Sequence, residues 1–166
     1  MNPPLLSVQD LSIRFGQLQV VDQLSFSLQR GEALGLVGES GCGKSVTSLA
    51  LMGLLQGAQV EGSIRLDDRP LLGLSQRTWQ EIRGRRISMV FQDPMTTLNP
   101  LMTVGAHLAE ALQTLQGLPR SACRTRAAEW LELVGIPDPV RRLEAHPHEL
   151  SGGMRQRVSI ALALCG

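Results

Sequence analysis

The sequence predicts an α/β fold, and three observations point to it. The front of the chain carries short stretches in which apolar and polar residues alternate. A wholly apolar run, Ala33 to Val37 (ALGLV), then feeds straight into a glycine-rich loop and a helical pattern. The second half carries three helical stripes and almost no strand signal.

Taken in order, Leu6, Val8, Leu11, Ile13 and Phe15 read as an edge-type strand with one irregularity in its alternation. Leu24, Phe26 and Leu28 alternate with Ser25 and Ser27, so one face is expected to be buried and one wet. Arg30-Gly31-Glu32 is a turn. ALGLV is the pattern of a strand buried on both faces. The helical pattern after the glycine loop runs through Leu54 and breaks at Gly57. Ser63 to Leu66 with Asp67-Asp68 predicts a short strand and a turn, and Ser75 to Arg83 a short helix. Ile87 to Phe91 (ISMVF) reads as a second short buried strand ended by Gln92-Asp93-Pro94. The loop to Met102 carries Pro94 and Pro100 and is not helical.

Three helices follow. Val104, Leu108, Ala111, Leu112 and Leu115 fall at i, i+4, i+7, i+8 and i+11. Cys123, Ala127, Trp130, Leu131 and Val134 repeat the spacing, as do Met154, Val158, Ala161, Leu162 and Cys165. Each is one apolar stripe of about 100° and reads as core. Pro137-Asp138-Pro139 and His146-Pro147-His148 read as loop, the two histidines as solvated rather than as a metal pair.

Composition narrows the function. With 43% hydrophobic and 19% charged residues the chain is not of the disordered class. Sixteen basic against fifteen acidic residues leave +1, so no global field exists to collect nucleic acid. Aromatics are too few for a base-stacking platform. Cys42, Cys123 and Cys165 lie far apart, with no zinc or disulfide spacing. No signal-peptide pattern and no apolar run of bilayer-spanning length is visible, so membrane association is expected to go through a partner.

Gly38-Glu39-Ser40-Gly41-Cys42-Gly43-Lys44-Ser45 matches G-x-x-x-x-G-K-[ST] between a strand-like run and a helix. Backbone N–H groups converge on a polyphosphate only where no Cβ intervenes, hence the glycines. The helix that follows adds unpaired N–H groups and the positive end of its dipole. Lys44 brings a full charge to the phosphates, and the Ser45 hydroxyl is a hard oxygen ligand for Mg²⁺. A second glycine motif, Leu150-Ser151-Gly152-Gly153-Met154-Arg155-Gln156-Arg157, opens the last helix, with Ser151 placed to cap it. Glycines there weaken a helix, so their use lies in close backbone approach at a helix N-terminus.

Together these motifs resemble the ATP-binding cassette (ABC) ATPases. GESGCGKS resembles that family's Walker A loop, Gln92 in FQDP its Q-loop, and LSGGMRQR its signature motif, in family order over the whole chain. The resemblance implies a P-loop NTPase core with N-terminal antiparallel strands and a helical subdomain, incomplete at the C-terminus. Residues 1–92 would form the strand-rich part with Walker A and Q-loop, 93–150 the helical subdomain, and 151–166 the signature helix. It further implies that Phe15 stacks on adenine and that Gly38, Glu39, Ser40, Gly41, Cys42, Gly43 and Lys44 hold the phosphates. Ser45 and Gln92 would coordinate Mg²⁺, and Lys44 and Gln92 would be the catalytic residues present. Ser151, Gly152, Gly153 and Gln156 would close over ATP held by another subunit, so function requires a head-to-tail dimer, homo or hetero.

GESGCGKSVTSLALMGLL, RRISMVFQDPMTTLNPLMTVG and HPHELSGGMRQRVSIALAL are similar to the importers of di- and oligopeptides and nickel. That similarity implies a bacterial energy-coupling ATPase on the cytoplasmic face of the membrane. It would work with transmembrane permease subunits, a second ATPase subunit and, indirectly, a substrate-binding protein. The family's Walker B aspartate, its catalytic glutamate and its switch histidine have no counterpart here, so the general base is absent. The expectation is a cassette lacking its later strands, able to bind ATP but not by itself competent for hydrolysis. The missing strands would also leave ALGLV with an exposed apolar edge and the last helix short of packing surface. The alternatives are a non-catalytic fragment and a soluble ABC ATPase acting on ribosomes or DNA. The absence of a heptad run between the motifs argues against the DNA-acting relatives.

Overall fold

The computed structural model describes residues 3–92 and 97–166. They form two compact units, Met1–Gln80 and Glu81–Gly166.

The first unit is built on a four-stranded antiparallel sheet of order β2-β1-β3-β4. Its strands are β1 (Leu6–Phe15), β2 (Leu18–Leu28), β3 (Gln59–Leu66) and β4 (Arg69–Pro70). β1 and β2 join through the two-residue turn Gly16-Gln17, with Gly16 at φ +57°. β3 and β4 join through Asp67-Asp68, both at positive φ, the conformation whose twist suits a two-residue hairpin. β1 lies inside the sheet between β2 and β3, which corrects the expectation of an edge strand. Its neighbour β3 begins at Gln59, four residues before the polar-apolar pattern becomes visible at Ser63.

The irregularity expected in β1 is a bulge. Its register against β3 shifts between Gln9 and Ser12, where Asp10 takes φ +48°. Gly62 stands opposite at φ +99°, and a Cβ there would lie 2.5 Å from the Asp10 carbonyl oxygen. The extra residue moves the buried face from Leu6 and Val8 to Leu11 and Ile13. These four side chains, with Val21, Ile64 and Leu66, form the buried face of the sheet.

Helix α1 (Lys44–Leu51) packs on β2. It ends sooner than the periodicity implies, because Met52 caps it and Gly53 turns left-handed at φ +60°. A Cβ on Gly53 would fall 2.3 Å from the Trp79 ring, so the glycine also lets that indole pack. Trp79 lies on α2 (Gln76–Ile82), where the short helix was expected.

Two expected strands are not formed. Residues 33–37 carry no strand and are exposed throughout, Val37 at 93%. Residues 88–91 likewise carry no strand, with Ile87 making one isolated bridge to Arg83. Val90 and Phe91 are exposed. A buried strand exists through its neighbours' hydrogen bonds and side chains, and among the described residues no strand pairs with either run. The stop at Asp93-Pro94 lies outside the described residues.

The second unit is a helical cluster. α3 (Val104–Gln116), α4 (Arg120–Leu133) and α6 (Gly152–Leu164) coincide with the three apolar stripes. Val104, Leu108, Leu112, Cys123, Ala127, Leu131, Val158, Ala161 and Cys165 meet in one buried core. Thr103 caps α3 by accepting from the Ala106 N–H at 3.2 Å. The two proline segments read as plain loop contain structure: α5 (Pro139–Arg142) is one helical turn, and Pro147–Glu149 is a 3-10 turn. In each, proline's fixed φ starts a turn that is too short to leave a periodic signal.

Candidate functional site

The phosphate-loop residues lie in the first unit. α1 starts at Lys44, with Gly43 as its N-cap at φ +90° and ψ 0°. Gly43 is buried against β2, and a Cβ there would lie 2.8 Å from the Val20 carbonyl oxygen and 2.9 Å from Val21 Cγ2. Gly41 takes φ +85° but faces open space. One side of the loop is thus pressed onto the sheet and the other is free for a ligand. A Cβ on Gly38 would lie 2.6 Å from Cys42 Sγ, so that glycine lets the thiol fold inward.

Lys44 is half-buried and its ammonium turns back over the loop. Nζ donates to the carbonyl oxygens of Gly38 and Glu39, both at 2.6 Å, and meets Cys42 Sγ at 3.3 Å. An ammonium has three N–H donors, and sulfur is a weak acceptor. The contact to Cys42 is therefore the one most readily exchanged for a phosphate oxygen. Ser45, in the first turn of α1, is exposed, as are Glu39, Ser40 and Cys42. The Thr47 N–H donates to the Gly43 carbonyl at 2.8 Å, and Ser48 Oγ donates to the Lys44 carbonyl at 3.1 Å.

A recess of about 220 Å³ beside the loop is lined by Val21, Asp22, Leu36, Cys42, Lys44 and Thr47, among others. Asp22 and buried Thr47 carry no motif signal and went unread in the sequence. Thr47's place follows from α1 periodicity, one turn beyond Lys44. Phe15 ends β1, half-buried and paired with Leu18, and does not line that recess.

The other candidate residues lie in the second unit. Gln92 is exposed. Ser151 is the N-cap of α6, its Oγ accepting from the Met154 N–H at 3.3 Å. Gly152 and Gly153 form the first turn, exposed, and a Cβ built on either meets nothing within 4 Å. Among the described residues no packing demands these glycines, so a ligand or another surface can approach their amides. Gln156 is exposed on the same helix.

Just before α6, the Glu149 carboxylate accepts from the His146 N–H at 2.6 Å. That bond, with the nearby imidazoles, holds its pKa below the ordinary carboxylate value. The rings of His146 and His148 stack 5.6 Å apart.

A strand-rich unit whose sheet supports a glycine loop with an inward-turned lysine, followed by a capped glycine helix start in a helical unit, defines the class of phosphate-loop nucleotide-binding cassettes. The family model described as ABC transporter matches residues 21–166, and the chain belongs to that family. It is 47% identical to the dipeptide transport ATP-binding protein DppD of Haemophilus influenzae, over 96% of this chain and 50% of that protein. It is 48% identical to the oligopeptide transport ATP-binding protein OppD of Bacillus subtilis, over 96% of this chain and 47% of that protein. The chain thus spans about half the length of the curated relatives it matches. Among solved structures, it superposes with TM-score 0.83 and 26% identity on the dimeric ATP-binding cassette MJ0796 bound to ADP and Pi, over 96% of this chain and 69% of that one. No helix among the described residues is long and apolar enough to cross a membrane.

Proposed function

We propose that the chain is the ATP-binding, energy-coupling part of a bacterial peptide importer, with ATP hydrolysis as the activity of the complete subunit. The observation that carries this reading is the loop itself. Gly43 is sterically locked against β2, Gly41 is open outward, and Lys44 is folded over the loop with one donor on a weak acceptor. That arrangement fits a polyphosphate.

In this reading the amides of residues 38–45 and the Lys44 ammonium hold the phosphates, and Phe15 supports the adenine. Ser45 Oγ and the Gln92 side chain supply oxygens to Mg²⁺. The metal's charge offsets that of the phosphates when bound. The open first turn of α6 supports a contact in trans, Ser151, Gly152, Gly153 and Gln156 of one subunit covering the triphosphate on another. The dimeric cassette MJ0796 supports the pairing of two such subunits. Residues 1–92 carry the nucleotide loop, 93–150 the helical subdomain and 151–166 the signature helix.

The names of the relatives support di- and oligopeptides as cargo. The partners in this reading are two permease subunits at the cytoplasmic face of the membrane, a second ATPase subunit and, indirectly, a peptide-binding protein.

Calorimetric titration of ATP with and without Mg²⁺ tests the nucleotide site. Lys44→Ala removes a charge-assisted contact and is expected to weaken binding by at least about tenfold. Equal affinity in the variant would show that the phosphates lie elsewhere.

A further inference from the structure

The first turn of α6 presents its N–H groups to the outside, and something must fix the angle at which it does so. From Val158 onward the helix is held by the core, and Met154 leans on that core. Between them Arg157 reaches across to the end of α4. Its Nη1 donates to the carbonyl oxygen of Gly135 at 2.7 Å and approaches that of Val134 at 3.4 Å.

The end of α4 is built to receive it. The Gly135 N–H donates to the Glu132 carbonyl and the Ile136 N–H to the Leu131 carbonyl, the paired bonds of a left-handed helix stop. Those bonds leave the carbonyls of Val134 and Gly135 facing outward at the negative end of the helix dipole. Gly135 sits at φ +73°, and a Cβ there would lie 2.8 Å from Arg157 Nη1. Glycine thus satisfies both the backbone turn and the approach of the guanidinium.

Arg157 stands four residues after Gly153, one helical turn along the same face. Fixing Arg157 therefore fixes the rotation of the turn that carries the glycine amides. We infer that Arg157 is a positioning residue for the signature turn. By gripping the C-terminal carbonyls of α4, it sets the direction in which Gly152 and Gly153 meet the triphosphate of a second subunit. The inference rests on the reading of Ser151–Gly153 as the trans contact.

Two measurements on the complete subunit test it. Hydrogen exchange of the Met154 and Arg155 amides, which donate to Ser151 Oγ and to the Ser151 carbonyl, should quicken about tenfold in Arg157→Ala, with exchange over 158–164 unchanged. In the same variant kcat for ATP should fall about tenfold with KM little changed, since each subunit's own loop binds the nucleotide. Arg157→Lys, which keeps the charge and can reach one carbonyl, should recover most of both.

Unchanged exchange with undiminished kcat overturns the inference. So does faster exchange with undiminished kcat, or an equal loss in the lysine variant. Gly153→Asp separates the two levels. If it leaves turnover intact, the trans reading itself fails. If it abolishes turnover while Arg157→Ala behaves as wild type, only the role of Arg157 falls.

Discussion

Gly43→Ala offers the sharpest structural test of the phosphate loop. The substitution forces an L residue to φ +90°, which costs about 1–2 kcal/mol. It also places a methyl group 2.8 Å from the Val20 carbonyl oxygen and 2.9 Å from Val21 Cγ2. The first of these neighbours is backbone within a paired strand and cannot turn aside. Overpacking of that kind adds about 1–3 kcal/mol. The sum, about 2–5 kcal/mol, is a large share of the ~5–15 kcal/mol that holds a typical domain. Gly41→Ala is the internal control, because its φ of +85° is as unfavourable but its Cβ meets nothing within 4 Å. Urea unfolding of both variants should show Gly43→Ala to be the less stable by the clash contribution. Equal stability of the two variants would mean that the loop does not rest on β2, and the steric argument would be wrong.

Cysteine reactivity should divide by burial. Cys42 is exposed, whereas Cys123 and Cys165 are buried, and burial pushes the Cys165 thiol up to about 11. A maleimide reagent at neutral pH should modify Cys42 first, with the other two protected until the chain unfolds, as peptide mass mapping would show. Rapid labelling of Cys165 in the folded chain would contradict the helical core. The turn before α6 should loosen in acid. Glu149 has a lowered folded-state pKa, so its contribution is present above the unfolded carboxylate value of 4.5 and is lost as pH falls through the lower folded value. Glu149→Gln should remove that part of the acid dependence, read from the exchange rate of the His146 amide. An unaltered pH profile would show that the carboxylate does not hold the turn.

Elements whose signal lies in their own residues were legible in the sequence. Leu108, Leu112, Cys123, Ala127, Val158 and Ala161 repeat at helical spacing because one packed face selects them, and they are the core of the second unit. The bulge in β1 showed as a slipped alternation between Val8 and Leu11. The phosphate loop and the capped glycine turn were legible because their chemistry allows few residue types. ALGLV and ISMVF carry enough apolar character for buried strands, yet a strand is completed by its neighbours, and the described residues supply none. β1's internal place was hidden for a related reason, since it depends on pairing with β3 far along the chain, from Arg14 with Gln59 to Leu6 with Leu66. Thr47 and Asp22 gave no motif signal, and Arg157 stood in the glycine motif without a role of its own. They matter through what lies opposite them, which only the folded backbone discloses.

Sedimentation velocity of the complete subunit, with ATP and Mg²⁺ and again with ADP, addresses the proposal at its centre. A dimer that forms with the triphosphate, dissociates with the diphosphate and is lost in Lys44→Ala is the predicted result. A subunit that stays monomeric while it turns over ATP, or that pairs regardless of nucleotide, would contradict it.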